Sequence, residues 1–148
     1  MNITLIHEQD IPKREYDTNF TILKYKNFND LDTQINEMVC DGQCDIIEAP
    51  LLSNRLPSLD FGQILKCLVR KLRHNGELRL SGVDVYTICN KLLNSKINVI
   101  EFNELLFGRG GAGINTVLDT SEILSELGLK ITAKVLDDNH FTVIGKRP

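Results

Sequence analysis

Apolar positions along the chain switch repeatedly between the two-residue period of strands and the longer period of helices. Ile3, Leu5 and Ile6 form a short apolar run, closed by His7-Glu8-Gln9-Asp10 and Pro12. The polar stretch from Lys13 to Asn19 reads as a loop, and Phe20-Thr21-Ile22-Leu23-Lys24-Tyr25 is a second strand, rich in β-branched and aromatic residues. Leu31, Ile35, Met38 and Val39 then share one helical stripe, with Asn29 or Asp30 as the cap and Asp41-Gly42 as the stop. Cys44–Ala49 predicts a strand halted by Pro50.

The clearest helix starts near Asp60 and carries Phe61, Ile64, Leu65, Leu68, Val69 and Leu72 on one face. Lys71 and Arg73 occupy its last turn, and Asn75-Gly76 supplies a left-handed exit. Glu77–Val83 returns as a strand, and Val85–Leu93 and Asn98–Phe107 are helical. Gly108-Arg109-Gly110-Gly111-Ala112-Gly113 reads as a flexible connector, because a phosphate cradle would need a strand before it and a Lys-Ser/Thr after it. Asp119 or Thr120 caps a further helix with Ile123, Leu124 and Leu127 inward. Leu129–Leu136 and His140–Lys146 make a hairpin across Asp137-Asp138-Asn139. Strands separated by helices pair in parallel. The expectation is an α/β fold, a three-layer sandwich with a mostly parallel sheet and a C-terminal antiparallel hairpin.

Composition narrows the function classes. A chain of 148 residues is enough for one core, so 1–148 is read as a single domain. The net charge of -3, with both signs interspersed, argues against a nucleic-acid partner, and the basic run Lys66, Arg70, Lys71, Arg73, His74 fits a helix's solvent face and last turn. No apolar stretch has the length of a membrane span, and Met1–Ile6 reads as a strand, not a leader. Cys40, Cys44, Cys67 and Cys89 show no second ligand pair at zinc spacing, so no metal is expected. Cys67 and Cys89 fall in helical patterns as buried thiols, which suits a reducing, cytoplasmic setting.

From Cys44 to Pro148 the succession resembles class I S-adenosylmethionine-dependent methyltransferases. Cys44-Asp45-Ile46-Ile47-Glu48-Ala49 is similar to the family's fourth strand. The helix ending Arg70-Lys71-Leu72-Arg73-His74-Asn75-Gly76 and the strand after it resemble the family's basic helix end and fifth strand. Thr120–Leu127, Gly128 and the hairpin are similar to its last helix and its sixth and seventh strands. The resemblance implies a reduced Rossmann-like methyltransferase fold, 44–148 being the matched part and 1–43 a divergent one. Residues 1–43 are also too few for the three βα units the family places there. Family members bind the cofactor at a Gly-rich turn after the first strand; this chain has no glycine before Gly42.

The candidate ligand cluster is therefore the strand-end polar set His7, Glu8 and Asp10, joined by Glu48 and by Asp84 at other strand ends, since open α/β sheets bind ligands there. Asn54 and Arg55 in the loop after the fourth-strand match read as a polar loop tip. No catalytic triad can be assembled from the order and spacing of the residues. The expected function is a catalytically silent domain without cofactor, acting as a structural or protein-interaction module. It would be a homo-oligomer or dock to a larger assembly, in the manner of reduced methyltransferase-like bacteriophage products and then virion-associated. Two alternatives stand beside it: an active methyltransferase with a non-standard or partner-completed S-adenosylmethionine site, and a small-ligand-binding domain.

Overall fold

A computed structural model describes residues 1–10, 19–108 and 110–148. The expected loop over 13–18, and Ile11 and Pro12 before it, lie outside the described residues, as does Arg109. The elements are β1 (Asn2–His7), β2 (Phe20–Tyr25), α1 (Phe28–Met38), β3 (Cys44–Pro50), α2 (Leu52–Arg55), α3 (Ser58–Lys71), β4 (Leu72–Val83), α4 (Val85–Leu93), α5 (Val99–Phe107), α6 (Val117–Glu126), β5 (Lys130–Asp137) and β6 (His140–Lys146). They build one six-stranded sheet in the order β2-β1-β3-β4-β6-β5. The first four strands in that order run parallel, and β6 pairs antiparallel with both β4 and β5. The mixed α/β architecture, mostly parallel with a terminal antiparallel hairpin, is the expected one.

Three helices start earlier than the apolar stripe suggests, two of them through side-chain caps. Asn27, not Asn29, caps α1 by accepting the Asp30 amide. Thr116 does the same for α6 through Asp119 N. α3 begins at Ser58 and ends at Lys71, so Leu72, placed on the helix by its periodicity, opens β4. The left-handed exit falls at Asn75 (φ 63°), now inside a long strand, where Gly76 lies so close to the Cys44 carbonyl that a Cβ would sit 2.8 Å from it.

The two faces of the sheet differ. Ile3, Leu5, Leu23, Ile47, Leu78, Leu80 and Val143 point to one face and share a single buried core with Leu31 and Ile35 of α1, Ile64, Leu65 and Leu68 of α3, and Leu124 of α6. α1, α3 and α6 therefore pack on this side of the sheet. The alternate positions form the other face. There Thr4 and Ile6 are buried, while Glu48 takes a 3.5 Å bond from Thr4 and pairs with Arg79 at 3.3 Å. Arg79 also pairs with Glu77 at 3.0 Å. α4 and α5 stand apart as a hairpin with its own small core of Val83, Ile88 and Leu106.

The outer edge of β2 is partly blocked. In a parallel ladder successive residues aim their N–H and C=O groups to opposite sides. The Tyr25 carbonyl accepts from Glu8 N on the β1 side, which leaves the Lys24 carbonyl facing outward. Gln34 of α1 donates its Nε2 to that carbonyl at 2.8 Å.

Candidate functional site

The carboxyl ends of β1, β2, β3 and β4 meet at one end of the sheet, where an open α/β fold offers its crevice. His7 ends β1 and is buried. Its Nδ1 accepts the Gln9 amide at 3.2 Å, so that nitrogen carries no proton and Nε2 carries it. Nε2 then donates to the Lys26 carbonyl at 3.0 Å. With both nitrogens engaged, and the ring edge-on to Tyr25 at 5.3 Å, His7 is a fixed strut between the ends of β1 and β2.

Asp10 faces Arg55 of α2 in a two-pronged ion pair: Nε reaches Oδ2 at 3.0 Å, and Nη2 reaches Oδ1. Both side chains are largely buried, at 6% exposure for Arg55 and 14% for Asp10. Arg55 also donates to the Gly108 carbonyl at 3.4 Å, tying the end of α5 to the same point. Tyr25 lies beside this pair with its hydroxyl buried and without a hydrogen-bond partner among the described residues. Burial first, and the Asp10 charge second, push the Tyr25 hydroxyl well above its ordinary pKa of 10.0, with Arg55 opposing them. Glu8 is exposed, and with His7, Gln9, Lys26, Arg55 and Asp60 it lines a cleft of about 420 Å³.

The structure brings His7, Glu8 and Asp10 together and leaves Glu48 out. Glu48 pairs in register with Thr4, three residues before the end of β1, and lies on the opposite face from His7. Asp84 belongs to a different corner. It is 2% exposed and caps α4, accepting from Thr87 N at 2.9 Å and Thr87 Oγ1 at 2.7 Å, and from Val117 N at 3.1 Å.

Asn54 and Arg55 are not a loop tip. They lie on α2, and Asn54 is 3% exposed. Its Oδ1 accepts Val83 N at 2.9 Å, and its carbonyl takes Ala112 N at 2.7 Å and Gly113 N at 3.3 Å. The described residues of the glycine run are likewise no free connector. A Cβ on Gly113 would stand 2.5 Å from the Leu56 carbonyl, so glycine is what lets this backbone press against α2. The missed signal was the Leu52/Leu56 pair, four apart and both buried, which marks a helical turn after Pro50. Among the described residues no cluster of His, Cys, Asp or Glu is arranged to hold a metal ion. None of their helices is long and apolar enough to cross a membrane.

No protein-family model and no curated protein matches the chain. Solved structures do. An O-methyltransferase family protein from Burkholderia thailandensis superposes with TM-score 0.58 at 11% identity, over 86% of this chain and 36% of its own. The fold is methyltransferase-like. An S-adenosylmethionine-dependent methyltransferase from Mesorhizobium loti gives 0.58 at 13% identity, over 89% of this chain and 71% of that one. One from Anabaena variabilis gives 0.56 at 15%, over 92% and 62%. The chain spans 36%, 44% and 41% of the length of the first three structures. At such identities the likeness concerns the methyltransferase-like fold, and residues 44–148 carry its β4, α6 and terminal hairpin.

Proposed function

We propose that this chain is a catalytically silent methyltransferase-like domain, working as a structural or protein-interaction module in a larger assembly, of the phage type or otherwise. The observation that carries this reading is the Asp10–Arg55 pair. Where a methyltransferase-like sheet would offer a nucleoside its crevice, this chain places two charged side chains already satisfied by each other. Removing one partner from a buried ion pair costs about 3–5 kcal/mol. A ligand that displaced either group would have to recover that amount before gaining affinity. The stretch after β1 also offers bulky polar residues where a close backbone approach would favour glycine.

A second reading has its own support. The cleft beside the pair keeps Lys26, Asp60 and the exposed Glu8 on its walls, and those polar groups suit a small polar ligand. Titration calorimetry with S-adenosylmethionine and S-adenosylhomocysteine tests the first reading. The expected result is no heat of binding up to about 1 mM. Micromolar binding, abolished by Glu8→Ala or Arg55→Ala, would overturn the silent reading in favour of a cofactor site at this corner.

A further inference from the structure

We draw no further inference here: the strongest candidate, the exposed apolar face of the α4–α5 hairpin formed by Tyr86, Leu93, Ile100 and Phe107, carries none because nothing in the structure shows what covers it.

Discussion

The corner beyond β1 and β2 and the corner beyond β4 lie at the same end of the sheet and are closed by different chemistry. At the first, a charge pair and a histidine strut hold the strand ends, a tyrosine hydroxyl has no partner among the described residues, and a cleft stays open beside them. At the second, Asn54 and Asp84 use their side chains on backbone amides, joining α2, β4, α4 and α6. Amide-to-carbonyl closure resembles the way a fold satisfies its own helix ends. Ion pairing beside an open cleft resembles a ligand site filled from within, whereas a buried hydroxyl without a partner among the described residues occurs at both corners, Tyr25 at the first and Ser53 at the second. The first corner is where a methyltransferase-like sheet differs from an ordinary packed end.

The largest expected effect breaks the charged corner. Arg55→Met leaves Asp10 unpaired in a mostly buried position, at a cost of about 3 kcal/mol in urea unfolding, and adding Asp10→Leu should recover most of it. A cost under about 0.5 kcal/mol for Arg55→Met would place the pair among exposed, weak ones. Next, Asn54→Ala strands the buried Val83 amide and should cost about 2 kcal/mol. Its signature is local, because amide exchange should quicken at Val83, whose acceptor is the Asn54 side chain, before the sheet responds. The third effect has the opposite sign. Tyr25→Phe removes a buried hydroxyl that has no partner among the described residues and should stabilise the chain by about 1 kcal/mol. An unchanged or lowered melting temperature would show that the hydroxyl is satisfied.

The smallest effect is in pH. The folded chain holds the Tyr25 hydroxyl protonated above its ordinary pKa of 10.0, so beyond that pH the unfolded chain binds fewer protons than the folded one. Stability should therefore fall as pH rises past 10, more steeply in the natural chain than in Tyr25→Phe. Equal slopes would remove the hydroxyl from the account.

Periodicity made the sheet and the long helices legible, because apolar spacing records which side of an element is buried. Phe61 to Leu68 needed nothing else, and Phe20 to Tyr25 only its β-branched and aromatic residues besides. The caps were harder, since Asn27 and Thr116 compete with nearby Asn29 and Asp119 of equal capping chemistry. The site was half legible. His7 and Asp10 are placed by the end of β1, a local fact. Arg55 meets Asp10 across 45 residues of chain, and no local pattern records such a contact. Where Glu48 lies relative to His7 was not legible for a related reason: strand ends are visible in sequence, but the stagger that pairs Glu48 with Thr4 is a property of two strands at once.

Gln34 at the rim of β2 carries a consequence for larger structures. By occupying the Lys24 carbonyl it takes away one docking point that an incoming peptide would need there. At the opposite rim, β5 is kinked between Ile131 and Ala133 and flanked by Lys130 and Lys134. A molecule guarded on both rims resists growth into a continuous cross-β ribbon, because neither rim offers an incoming strand an unbroken row of backbone partners.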